Sequence, residues 1–169
     1  MTPLGYALLG LVQMQPRSGY ALRKVFETTP LGGYSSSPGS IYPALKSLEK
    51  AALLVARDPS GKRGKGEYHL TAEGERLLHA WLASPIGDLG EAMLRFAFLR
   101  DDDRDATLTF LDAFLSAAES ELAGLEAFLA GDGAKDLPAR GRIAVEHGLR
   151  QLQASADWAR WTREQYSTD

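Results

Sequence analysis

The sequence predicts a mainly helical chain with one small β-hairpin, organised as two units that meet near residue 85. Three observations carry this. Apolar residues recur at i, i+3, i+4 and i+7 over most of the chain. Only residues 53–57 and 67–71, on either side of a turn rich in glycine and cations, read as strands. The charge then changes sign: residues 1–84 hold ten Lys/Arg against six Asp/Glu, whereas residues 85–169 hold nine against sixteen. A basic half joined to an acidic half points to a polyanionic partner for the first half alone.

Size and composition exclude several classes. The 169 residues suit one domain, or a small domain with an extension, and 44% apolar with 24% charged residues excludes wholesale disorder. No apolar stretch approaches the roughly 20 residues that span a bilayer, so no membrane helix or membrane partner is expected. The start, Met1-Thr2-Pro3-Leu4-Gly5, has no cationic region and is not expected to be a signal peptide. With no cysteine there is no disulfide scaffold, thiolate metal site or thiol nucleophile, which fits a cytoplasmic protein.

The elements follow in order. Leu4, Ala7, Leu8, Leu11 and Val12 make a first helix, apolar on more than one side and therefore buried between neighbours. Gln15-Pro16-Arg17 ends it. Ser18 caps a second helix that turns Leu22, Val25 and Phe26 inward. Residues 29–36 read as a turn or loop. Ser37-Pro38 is an N-cap followed by proline at the first helical position, opening a third helix over 38–50. Ile41, Leu45 and Leu48 form its inner stripe. Its other face carries Ser40, Tyr42, Pro43, Lys46, Ser47 and Lys50, polar and cationic with one ring.

Residues 53–57 and 67–71 pair as a hairpin whose tip holds Lys62, Arg63 and Lys65. Thr71 caps a fourth helix with Leu77, Leu78, Trp81 and Leu82 on its apolar face. Ser84-Pro85-Ile86-Gly87-Asp88 is the linker between a unit of residues 1–84 and one of residues 85–169. Beyond it come a short helix over 89–99, the run Asp101-Asp102-Asp103, and a long helix. That helix carries Leu108, Leu111, Leu115, Ala118, Leu122, Leu125 and Leu129, stepping by three and four as a heptad seam. Gly131-Asp132-Gly133 breaks it. A last helix starts near Pro138 with Val145, Leu149, Leu152, Ala156 and Ala159 on a similar seam, and with Trp158 and Trp161 on its flank.

Three helices, a ribbon with a basic tip and a further helix are the order of a winged helix-turn-helix. That architecture suits duplex DNA. A helix fits the major groove and reads base edges with its outward side chains, while cations on a flanking loop meet phosphates. On this reading Ser37, Ser40, Tyr42, Pro43 and Lys46 face DNA, and Lys62, Arg63 and Lys65 contact its backbone. The competing reading is a protein-interaction module that has lost DNA binding; Lys46, Lys50 and the cations of the tip argue against it. Enzyme chemistry finds no support. His69, His79 and His147 lack metal-ligand spacing, there is no phosphate loop or nucleophile elbow, and no metal or cofactor is expected. The run Asp101–Asp103 complements the positive end of the helix that follows it.

Three segments resemble the PadR family of bacterial transcriptional regulators: Gly19-Tyr20; residues 37–49, SPGSIYPALKSLE; and Tyr68-His69-Leu70-Thr71-Ala72-Glu73-Gly74. The resemblance covers residues 4–84 by motif and the acidic half by layout. It implies a DNA-binding regulator, a repressor on a palindromic site, with Tyr42 approaching DNA. The alternative for Tyr42 is a ring packed on the second helix; Tyr20 reads as core, with its hydroxyl placed to reach a phosphate, and Tyr68 reads as core. The resemblance also implies a homodimer built through the C-terminal helices. Leu108, Leu111, Leu115, Leu122, Leu125, Leu149 and Leu152 are the candidates for that contact, or for a helical hairpin within the chain. Phe96, Phe98, Trp158 and Trp161 either line a pocket for a small aromatic effector or are ordinary packing. One departure stands out. Ala51-Ala52-Leu53 replaces the family's usual Ala-Gly-Leu, so a left-handed cap falls on alanine at a cost of about 1 kcal/mol.

Overall fold

The computed structural model describes residues 1–34, 38–57 and 66–167. They form two compact units, Met1–Ser84 and Pro85–Asp169. Ser37 and the tip residues Lys62, Arg63 and Lys65 lie outside the described residues.

In the first unit, α1 (Pro3–Met14) starts at Thr2, whose hydroxyl accepts the amide of Gly5 at 3.2 Å. Ala7, Leu8, Leu9, Leu11 and Val12 are all buried, so the helix is enclosed as its apolar content requires. A short strand β1 (Arg17–Ser18) leads into α2 (Gly19–Thr28), and Ser18 caps α2 by accepting Ala21 N. Residues Pro30–Tyr34 form a 3-10 turn where a loop is expected. A second 3-10 turn, Pro38–Ser40, precedes α3 (Ile41–Lys50). The α-helix thus begins later than the sequence predicts, because its first turn is wound more tightly. Ile41, Leu45 and Leu48 are buried as expected.

Strands β2 (Leu54–Arg57) and β3 (Glu67–Leu70) pair antiparallel, with Ala56 opposite Tyr68. The sheet has a third strand that sequence reading missed. β1 pairs with β3, Arg17 opposite Tyr68, giving the order β1-β3-β2. Two residues carry no periodicity, so only the pairing identifies them. α4 (Ala72–Leu82) closes the unit; its Trp81 stacks on Tyr6 of α1 with ring centroids 4.2 Å apart.

In the second unit, α5 (Leu89–Phe96) is capped by Asp88, which accepts Glu91 N at 2.7 Å. α6 (Arg104–Ala130) is capped by Asp103. The acidic run before α6 therefore has a local task, and Arg100 pairs with Asp102 within it. α7 (Ala139–Ser167) returns alongside α6, and Arg160–Glu119 and Arg163–Asp112 bridge the two helices. The core is Ala92, Phe110, Leu111, Phe114 and Ala159, flanked by Phe96, Leu115 and Trp158. Buried Arg95 donates to the carbonyl of Pro85, which ties the start of the unit to α5. Among the described residues no helix is long and apolar enough to cross a membrane, and no cluster of His, Asp or Glu is placed to hold a metal ion.

Candidate nucleic-acid interface

The orientation of α3 is set at its C-terminus. Leu53 N donates to Leu48 O, and Ala52 N to Glu49 O, the paired bonds of a Schellman cap. Ala52 takes a φ of 55°, in the left-handed region, as the departure from Ala-Gly-Leu predicts. Thr71 joins this cap to the next helix: its hydroxyl donates to Ala52 O at 2.6 Å and accepts Gly74 N at 3.0 Å. A Cβ on Gly74 would stand 2.1 Å from the carbonyl oxygen of Leu53, so only glycine lets α4 approach so closely. This is the physical content of the Leu-Thr-x-x-Gly segment.

With Ile41, Leu45 and Leu48 turned inward, α3 presents Tyr42, Pro43, Lys46, Ser47 and Lys50 to solvent. Ser40 is half-buried at the helix start. Tyr42 is 48% exposed, yet its ring also rests on α2. A Cβ on Gly19 would lie 3.0 Å from the Tyr42 ring. One flank of the ring seats on the Gly19 backbone, and the remainder is open to solvent. Among the described residues neither Lys46 nor Lys50 is held in an ion pair, so both ammonium groups remain available to an anionic partner.

Tyr20 corrects an expectation. It is 65% exposed and not core, because it sits two positions before buried Leu22, on the opposite side of α2. Sequence reading had the signal for this in the helical spacing. Tyr68 is half-buried and its hydroxyl donates to Glu49 Oε2 at 3.4 Å. Burial, and then the Glu49 charge, raise the phenol above its ordinary pKa.

The C-terminal candidates separate. Leu111 is wholly buried in its own unit's core, so it has no surface to offer a partner. Leu115 packs against the same core. Leu108, Leu122, Leu125, Leu149 and Leu152 are half-buried. Phe96 and Trp158 meet edge to face with centroids 5.1 Å apart, and Trp158 also packs on Phe114. Phe98 is buried. Trp161 is 58% exposed and stands apart from this cluster, contrary to the expected grouping, because it follows fully buried Ala159 by two positions and so lies on the opposite side of α7.

Residues 8–80 match the family described as "Transcriptional regulator PadR-like family", and residues 90–167 match "Virulence activator alpha C-term". The negative transcriptional regulator PadR of Bacillus subtilis is 30% identical over 132 residues, which cover 75% of this chain and 72% of that protein. The chain belongs to the PadR-like family of transcriptional regulators. A second relative, the transcriptional regulator YqjI of Escherichia coli, is 35% identical over 75 residues. That match covers 44% of this chain and only 35% of YqjI. The crystal structure of a PadR-like regulator from Bacillus cereus is similar at 20% identity, covering 96% of this chain and 98% of that one, with a TM-score of 0.43. That of B. subtilis PadR with operator DNA is similar at 24% identity, 96% and 98% coverage, and a TM-score of 0.42.

Proposed function

We propose that the chain is a sequence-specific, double-stranded-DNA-binding regulator that acts in the cytoplasm as a homodimeric repressor on a two-fold operator. The observation that carries this is the outward face of α3: an exposed ring, a proline and cations with no ion-pair partner among the described residues, on a helix whose opposite face is fully buried. Its size and chemistry suit the major groove, where Lys46 meets guanine acceptors and Tyr42 meets a phosphate or a thymine methyl. Lys62, Arg63 and Lys65 add contacts to the phosphate backbone. Repression is supported by the B. subtilis relative, a negative regulator by name.

In the mechanism, two copies of α3 enter successive major grooves one helical turn apart. Dimerisation sets that spacing and multiplies two weak half-site affinities. Residues 85–169 supply the dimer contact through the half-buried leucines of α6 and α7, and they hold a small-molecule effector site. Occlusion of the promoter needs no catalysis, so no residue is assigned a catalytic role.

The test is selection of bound duplexes from genomic fragments by the purified protein, followed by titration of the enriched site against a scrambled duplex. A two-fold motif bound at least a thousandfold tighter than random duplex is expected. Failure to enrich any motif, together with loss of binding at physiological salt, would leave the protein-interaction module as the better reading.

A further inference from the structure

We infer that Tyr68 is a positioning residue for DNA recognition: its hydroxyl holds the Glu49 carboxylate at the root of the hairpin, so that Lys46 keeps an unpaired ammonium group for base readout. This rests on the reading that the outward face of α3 meets DNA, and it adds to that face a residue of the sheet.

The outward stripe of α3 is mixed in charge. Tyr42, Lys46 and Glu49 are all exposed and stand at i, i+4 and i+7, on one side of the helix. Glu49 is the only acidic residue of α3. On an exposed helix, opposite charges three residues apart are neighbours and can pair. Lys46 and Glu49 have this spacing, and a pair between them would neutralise the cation assigned to guanine. Among the described residues they form no ion pair. Glu49 instead accepts the hydroxyl of Tyr68 at 3.4 Å.

Tyr68 is the fixed member of this contact. It lies on the central strand β3, opposite Arg17 of β1 on one side and Ala56 of β2 on the other. Its ring is half-buried, which limits its movement. The Tyr42 phenol raises the pKa of Tyr68 further, after burial and Glu49, which puts the Tyr68 hydroxyl beside the stripe and keeps it protonated as a donor. The Glu49 backbone is also held, because its carbonyl accepts Ala52 N in the helix cap. Only the side-chain torsions of Glu49 then decide between two partners, the tyrosine hydroxyl and the Lys46 ammonium. Without the hydroxyl, the carboxylate is released to the cation one turn away.

The test uses the full chain, the selected operator and a scrambled duplex, and reads the ratio of the two affinities. Tyr68→Phe keeps the ring and removes the hydroxyl. It should lower the ratio about threefold, the size of one exposed charge pair. In a Glu49→Gln background the same substitution should leave the ratio unchanged. Glutamine still accepts the tyrosine hydroxyl but offers Lys46 no charge, so a merely structural tether would show the same loss in both backgrounds. Glu49→Gln alone should leave the ratio of the parent unchanged, because the carboxylate is already held off Lys46. A melting curve for each variant confirms that it is folded. An equal loss in both backgrounds overturns the inference, as does an unchanged ratio in Tyr68→Phe. A ratio that rises in Glu49→Gln also overturns it, and this arm leaves the tyrosine intact. Lys46→Ala, measured in parallel, separates the two readings. If it leaves the ratio unchanged, the α3 reading fails and the inference with it. If it lowers the ratio while Tyr68→Phe does not, the inference alone fails.

Discussion

Ala52 is the residue at which local strain is easiest to measure. Its φ of 55° places a Cβ against the carbonyl that follows, and glycine would relieve it. Ala52→Gly should therefore stabilise the protein by about 1 kcal/mol in urea unfolding, with the denaturant slope unchanged. Gly74→Ala should do the opposite, by about 3 kcal/mol, because the new methyl would meet the Leu53 carbonyl at 2.1 Å and backbone cannot move aside cheaply. If Gly74→Ala melts like the parent, α4 does not approach β2 as closely as described. Both effects belong to the scaffold that aims α3, so neither substitution should change which bases are preferred.

At the scale of the element, the two faces of α3 divide stability from recognition. Leu45 is fully buried, and Leu45→Ala should cost about 2–5 kcal/mol while the specificity ratio of the folded fraction holds. Lys46→Ala, on the exposed face, should leave the melting temperature within a degree and erode operator preference by about 1–3 kcal/mol. Tyr42→Ala should do both to a small extent, since its ring is half open and half seated on Gly19. Binding curves on operator and scrambled duplex, beside a melt, separate these outcomes. The hairpin tip is tested by its salt dependence. Replacing Lys62, Arg63 and Lys65 by Ala should weaken all duplexes alike and flatten the salt slope by about 0.9 per lost phosphate contact. An unchanged slope would remove the tip from the interface.

For the whole molecule the expectation is a dimer. Beyond its own core the second unit leaves apolar surface on α6 and α7: Leu122 is half-buried, while Phe128 and Ile143 are 41% and 69% exposed. Surface of this kind on paired helices calls for a cover. Leu122→Asp with Ile143→Asp should shift the protein to monomer in sedimentation at micromolar concentration and weaken operator binding at least a hundredfold, with helicity retained. Leu115 is unsuitable for this purpose because it packs on the phenylalanine core. A monomeric parent protein at the same concentration would refute the dimer.

What could be read without coordinates was whatever depends on near neighbours in the chain. Ser18 and Thr71 act as caps and the left-handed cap falls on Ala52 through bonds that span five residues or fewer, while helical spacing alone puts Ile41, Leu45 and Leu48 on one face. Charge asymmetry and the three motifs likewise need no fold to be seen. Contacts between distant segments were decided by packing. β1 exists only because Arg17 meets Tyr68, some fifty residues on. The single heptad seam of α6 splits into core positions such as Leu111 and half-buried ones such as Leu122, according to what α5 and α7 place against it. Trp158 and Trp161 share a flank in the sequence and part company in space for the same reason. The core of Ala92, Phe110, Leu111, Phe114 and Ala159 joins three helices at once, and periodicity along any one of them carries no record of what the other two place against it.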